Sequence, residues 1–151
     1  MTRKVDKLVI GRKDKVDFPE LGLYNITSKI DTGAYTSAIH CHDIKLIRKG
    51  KRKFVTFKLL DPSHSTYNGK LLKHELLAER KIKNSSGQSE ERCIIKTRVI
   101  LFDSSYDIEL SLTDRSKMEC PVLLGRKLLR KRFLVDVGRI NLSYKNKGVK
   151  K

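Results

Sequence analysis

The chain has no tryptophan, only three prolines and three cysteines in 151 residues, and half as many acidic as basic side chains. Each shortage excludes something. Without tryptophan, and with five tyrosines and five phenylalanines scattered along the chain, the aromatic platform for stacking single-stranded bases is thin. Cys41, Cys93 and Cys120 are odd in number and far apart, which argues against a disulfide framework and against paired-cysteine zinc sites. They read as reduced thiols of a cytosolic protein. No run of about 18 apolar residues occurs, and Met1-Thr2-Arg3-Lys4 leads into charge rather than a secretory apolar stretch. The expectation is a soluble, cytoplasmic protein with no membrane partner. No Pro-rich or Ser-rich linker divides the chain, so one domain is expected over residues 1–144, with a basic, disordered tail over 145–151.

What is present in excess is positive charge, with 34 basic against 17 acidic residues and a net charge of +17. Its distribution is uneven. Residues 54–114 carry nine of each sign, while residues 1–53 carry thirteen basic against six acidic and residues 115–151 twelve against two. The field therefore comes from the two ends of the chain, and it attracts polyanions: nucleic acid, an anionic surface or an acidic peptide.

The pattern is mainly β, with alternating, β-branched segments bounded by Gly, Asn, Asp or Ser. Strands are expected at Leu8-Val9-Ile10, ending at Gly11, at Tyr24 to Ile30, and at Phe54 to Leu60 with Val55, Phe57 and Leu59 on one face. Leu71 to Ile82 and Cys93 to Phe102 should form a hairpin whose tip is Lys83-Asn84-Ser85-Ser86-Gly87-Gln88-Ser89. Tyr106, Ile108, Leu110 and Leu112 alternate as in a half-buried strand. One short helix is expected over Arg126 to Phe133, where Leu128, Leu129 and Phe133 recur at helical spacing.

The chemistry centres on Asp31. Asp31-Thr32-Gly33-Ala34 follows an apolar strand, Ser37 and Ile39 come shortly after, and Leu123-Leu124-Gly125-Arg126 follows about ninety residues later ahead of the helix. Both segments run an apolar strand into glycine. Together they resemble the retropepsins, single-lobe aspartic proteases. Lys29 to His40, Asn84-Ser85-Ser86-Gly87, Leu112 to Ser116, Met118, Pro121 and Leu123 to Arg126 are more closely similar to a bacterial family labelled ATP-dependent zinc proteases. Members of that family are associated with a ligase that adds glutamate tails to a small-subunit ribosomal protein.

The resemblance implies an all-β, retropepsin-like acid-protease barrel with Asp31 as the catalytic carboxylate. It implies that Thr32 locks two loops together, that Gly33 lets substrate approach the main chain, and that Ala34 packs the loop. Ser85, Ser86 and Gly87 would form a flap tip, and Leu123, Leu124, Gly125 and Arg126 would support the catalytic loop. Peptide hydrolysis without a covalent intermediate needs one carboxylate as base and a protonated one as acid. A single Asp-Thr-Gly therefore implies a homodimer, with one Asp31 from each chain on the two-fold axis. The implied substrate is an acidic peptide or a glutamylated ribosomal protein. Tyr35 departs from the pattern, because retroviral members have an acidic residue there that pairs with the arginine after Leu-Leu-Gly.

Other constellations are weaker. His40-Cys41-His42-Asp43 is ligand-rich, yet no third and fourth ligand stands at zinc spacing, and His74-Glu75 lacks the second histidine of a zincin. No metal is expected, and without a Gly-rich phosphate loop no ATP or other cofactor is expected. Cys93 or Cys120 as nucleophile would need a nearby histidine. The rival from a different class is RNA or ribosome binding through Arg48 to Lys53 and Arg126 to Arg132. A non-catalytic scaffold that keeps the fold is the third reading.

Overall fold

The computed structural model describes residues 6–83, 87–114 and 119–147. They form ten strands: β1 (Leu8–Phe18), β2 (Leu23–Ile30), β3 (Ser37–Lys49), β4 (Arg52–Leu59), β5 (Leu71–Glu75), β6 (Ala78–Lys83), β7 (Ser89–Leu101), β8 (Ser104–Thr113), β9 (Val122–Leu124) and β10 (Phe133–Ile140). Two single-turn helices accompany them, α1 (Arg126–Leu129) and α2 (Leu142–Lys145). The strand order is β10-β1-β2-β9-β3-β8-β7-β6, and β1 also meets β7 at Asp17 and Ile100. That last pairing closes β1, β2, β9, β3, β8 and β7 into a barrel. A barrel has no free edge within its ring, and its inward side chains fill the core. Phe18, Ile26, Ile39, Phe57, Leu110 and Leu124 are among those fully removed from solvent. β4 and β5 extend from the far end of β3 as a second sheet.

The structure departs from sequence expectation at several places, each for a local reason. Gly11 does not end β1. It lets β10 come close, since a Cβ there would stand 2.2 Å from the Arg139 carbonyl oxygen. The expected strand from Leu71 to Ile82 is two strands, because the chain changes partner at a corner: the Leu76 N–H donates to Lys53 O at 2.9 Å and the next N–H, of Leu77, donates to Ile94 O at 2.9 Å. β5 consequently pairs with β4, and β6 with β7. The expected helix to Phe133 stops at Leu129. Arg130 turns extended and Lys131 takes a left-handed φ of 66°. Phe133 instead opens β10 and packs its ring against Phe102 and Tyr106.

β8 is more buried than a half-solvated strand, with Ser111 and Thr113 covered as well as Leu110 and Leu112. Near the C-terminus, α2 is held by a buried carboxylate. Asp14 accepts the N–H groups of Ser143 (2.8 Å) and Tyr144 (3.1 Å). Burial raises the Asp14 pKa, opposed by those backbone donors. Lys145 ends α2, and Lys147 donates to Asp17 at 2.7 Å; residues 148–151 lie outside the described residues. Among the described residues no helix is long and apolar enough to cross a membrane.

Candidate active site

β9 is inserted between β2 and β3, and that insertion builds the site. It runs parallel to β2, aligning Ile30 with Leu124, and antiparallel to β3, aligning Ala38 with Leu123. The two strand-to-glycine crossings seen in the sequence thus lie side by side. Where β2 ends, the Asp31 N–H donates to Leu124 O at 2.9 Å, so the loop that follows starts from a fixed point. The loop then folds on itself: the Gly33 N–H donates to Asp31 Oδ1 at 2.9 Å and the Ala34 N–H to Asp31 O at 3.2 Å. The Gly33 backbone donor fixes the rotamer of the carboxylate. Asp31 is partly exposed and Thr32 and Gly33 are exposed. Among the described residues, no hydrogen bond or ion pair joins Asp31 to a second carboxylate.

The downstream motif grips this loop from the other side. The N–H groups of Arg126 and Lys127 donate to Ala34 O (2.8 Å) and Tyr35 O (3.0 Å). Gly125 is required by the closeness of the two segments, since a Cβ would stand 2.8 Å from Tyr35 O and 2.9 Å from Ala34 O. Its N–H donates to Ser37 Oγ at 3.0 Å in a buried contact. Arg126 Nη1 donates to Thr32 O at 2.9 Å, and its guanidinium lies 5.8 Å from the Tyr35 ring centroid. Tyr35 therefore replaces an acidic partner with an aromatic face, while a main-chain carbonyl accepts the guanidinium hydrogen bond. Leu123, Leu124, Gly125 and Arg126 are all brought against the segment Asp31 to Tyr35.

Beside the loop opens a cleft of about 610 Å³, lined by Gly33, Ala34, Tyr35 and Thr36 on one wall, by Arg80, Lys81, Ile82 and Lys83 of β6 on another, and by Arg126 and Lys127. Five of those ten residues are cationic and none is acidic. β6 and β7 form the expected hairpin, with Lys83 opposite Ser89, and Gly87 takes a left-handed φ of 86° near its turn. Ser85 and Ser86 lie outside the described residues.

The histidines are committed elsewhere. His40 is buried with Nε2 2.6 Å from Asp61 Oδ2 and Nδ1 3.6 Å from Asp114 Oδ1. His42 Nδ1 lies 2.8 Å from Leu60 O, and its Nε2 lies 3.2 Å from the Tyr67 hydroxyl. These contacts fasten the loop after β4 to the middle of β3. Ser63, through its hydroxyl and N–H, and then His40 hold the Asp61 carboxyl down at about 2. Among the described residues, no group of three or more His, Cys, Asp or Glu is placed to hold a metal ion. Burial pushes the Cys41 thiol up to about 12, which removes its thiolate at neutral pH. Cys93 is shifted up as well by its burial.

Sequence reasoning missed the seat that Ser37 gives Gly125, and it missed Arg80, Glu109 and Lys127. Glu109 Oε1 accepts from Arg80 Nη1 and Oε2 from Lys127 Nζ, both at 2.6 Å. Lys127 stood out only as part of the basic run Arg126 to Arg132, and no local pattern joins the three residues, because they converge from β6, β8 and α1.

A closed single-lobe barrel, whose Asp-Thr-Gly loop is gripped by a Leu-Leu-Gly strand, defines a retropepsin-like protein. The family described as "Retropepsin-like aspartic endopeptidase RimB" matches residues 9–146, and the chain belongs to it. The chain is 34% identical over 136 residues to a "Probable alpha-L-glutamate ligase" of Desulfotalea psychrophila, covering 90% of this chain and 29% of that protein. A protein of the same name from Shewanella pealeana is 33% identical over 135 residues, covering 87% and 29%. The chain thus spans under a third of the length of these relatives. A Legionella pneumophila protein of unknown function shares the fold in its crystal structure, with a TM-score of 0.74 at 21% identity over 91% of this chain and 99% of that one.

Proposed function

We propose that the protein is a homodimeric aspartic endopeptidase that cleaves acidic, glutamate-rich peptides. The observation that carries the reading is the Asp31 carboxylate, oriented by Gly33 N–H at the mouth of a loop that two crossing strands hold from both sides. One carboxylate cannot be both base and acid in the same step. Two Asp31 groups brought together about the two-fold axis of a dimer would share one proton, because carboxylates ~3 Å apart cannot both ionise. The ionised one takes a proton from water as the oxygen attacks the scissile carbonyl. The protonated one hydrogen-bonds the carbonyl oxygen, and its proton then serves the leaving amine. The β6–β7 hairpin, which carries Gly87 beside its turn, would close over the peptide and exclude bulk water.

The substrate class rests on the cleft. Arg80, Lys81, Lys83, Arg126 and Lys127 line it without an acidic residue, which raises the local concentration of acidic peptides and steers their approach. The relatives named as glutamate ligases carry a segment like this chain within a longer protein, which supports a substrate bearing added glutamates, such as a glutamylated ribosomal protein. The test compares wild type with Asp31→Asn on a glutamate-rich peptide, with solution mass measured alongside. The reading predicts a dimer, hydrolysis by wild type and loss of hydrolysis in the variant. Persistent hydrolysis by Asp31→Asn would refute it.

A second reading has its own observation. At the β3–β4 end, Arg52 lies 5.1 Å and Lys73 Nζ 4.6 Å from the Phe54 ring centroid, and neighbouring Lys49 and Arg52 help lower the Lys73 pKa. Crowded cations around an aromatic ring suit a nucleic-acid strand. None of these residues lines the cleft, so Lys73→Glu should abolish oligonucleotide binding and spare peptide hydrolysis.

A further inference from the structure

Two of the five cations that line the cleft are already engaged from behind. Glu109, on β8, has its side chain only 20% exposed, and its two oxygens each accept one bond of 2.6 Å, from Arg80 Nη1 and from Lys127 Nζ. Glu109 does not line the cleft. It faces a separate cavity of about 210 Å³ that Lys127, Lys96 and Arg132 also line. Lys81, Lys83 and Arg126 make no ion pair among the described residues. The cleft therefore contains two kinds of cation: three without an ion pair among the described residues, of which Arg126 is held by Thr32 O, and two that share one internal anion.

The donor count leaves that pair open to a second anion. A guanidinium has five N–H donors and an ammonium three, and Glu109 uses one from each. A carboxylate arriving from the cleft would meet Arg80 and Lys127 on the face opposite Glu109, and would find there a net charge of one cation rather than two. The Lys127 and Arg80 bonds hold the Glu109 carboxyl below its ordinary pKa against the cost of desolvation, so it is ionised at neutral pH.

We propose that Arg80 and Lys127 form a carboxylate-binding subsite of the cleft and that Glu109 is its built-in counter-ion, which weakens the first acidic contact and sets how strongly acidic peptides are held. This rests on the reading that the cleft accepts an acidic peptide. Glu109 bridges β6, which leads to the hairpin tip, and α1, which grips the Asp31 loop. The same three side chains thus connect substrate charge to both walls of the cleft.

The experiment measures binding on the uncleaving Asp31→Asn background, by fluorescence anisotropy with a labelled oligoglutamate and an oligoglutamine of equal length, at low and moderate salt. Glu109→Gln keeps an acceptor for Arg80 or Lys127 and removes the charge. It should lower the Kd for oligoglutamate by about threefold to a hundredfold, the range set by one unit charge ~6 Å away between the dielectric of bulk water and that near a protein surface. Its affinity for oligoglutamine should not change. Arg80→Gln and Lys127→Gln should each weaken oligoglutamate binding, and they decide the matter if Glu109→Gln fails to fold. Oligoglutamate binding that Glu109→Gln leaves unchanged or weakens in a folded protein would overturn the proposal alone. Absence of oligoglutamate binding to every form would overturn the acidic-peptide reading of the cleft and the proposal with it.

Discussion

Replacing Gly125 by alanine tests the contact on which the site depends. The added Cβ would stand 2.8 Å from Tyr35 O and 2.9 Å from Ala34 O, both main-chain atoms that cannot swing aside as a flexible side chain would. Relief requires the tip of β9 to move away from the Asp31 loop, which lengthens the bonds from Arg126 N–H to Ala34 O and from Lys127 N–H to Tyr35 O, now 2.8 and 3.0 Å. Overpacking of this kind costs about 1–3 kcal/mol, and each weakened hydrogen bond adds about 1 kcal/mol. A total of about 3–5 kcal/mol lowers Tm by roughly 6–20 °C in a domain of this size. Urea unfolding at matched m-value measures the loss. Gly138→Ala is the control, because its Cβ would meet only the flexible Asp136 side chain, at 3.3 Å. Equal stabilities for Gly125→Ala, Gly138→Ala and wild type would refute the packing argument, and with it the claim that Gly125 fixes the loop.

Two further predictions concern the barrel and the loop after β4. Thr97 is buried and, among the described residues, its Oγ1 has no hydrogen-bond partner; a buried unsatisfied hydroxyl costs about 1–3 kcal/mol, so Thr97→Val should raise Tm, and a lower Tm would show that the hydroxyl is satisfied. Asp61 has a folded-state pKa of about 2, below the ~3.9 of an unfolded chain, so its contribution is present above about pH 4 and is lost as pH falls toward 2. The stability gap between wild type and Asp61→Asn, read from urea midpoints across pH, should therefore be full at pH 5–7 and close below about pH 4; a gap independent of pH would mean that the Ser63 and His40 contacts act by shape alone.

The parts of the fold legible in the sequence are those in which short-range pattern and long-range partner agree. Tyr24 to Ile30 and Phe54 to Leu60 each present one face to the buried core, and both are strands with ends shifted by one or two residues. The Asp31 loop and Leu123 to Arg126 were legible as a pair, because an apolar run that ends in glycine is a local feature. Their hydrogen bonds were not, since Ser37 and Gly125 stand 88 residues apart. β3 does not alternate at all over Ser37 to Cys41, which are buried throughout, so period-2 reading has nothing to find there. Leu128, Leu129 and Phe133 gave a helical period by coincidence. Lys131, a residue with no preference for the left-handed region, turns the chain into β10 after one helical turn. Glu109 looked like any outward polar residue of an alternating strand, and only the approach of β6 and α1 gives it two cations.

The central claim is that each of two chains supplies one half of the carboxylate pair. Mixing wild type with an equal amount of Asp31→Asn, allowing subunits to exchange, and measuring hydrolysis of a glutamate-rich peptide tests it directly. At constant total protein, roughly a quarter of the unmixed wild-type activity should remain, because only wild-type pairs carry both carboxylates. Retention of roughly half would mean that each chain works independently, and would contradict the shared site.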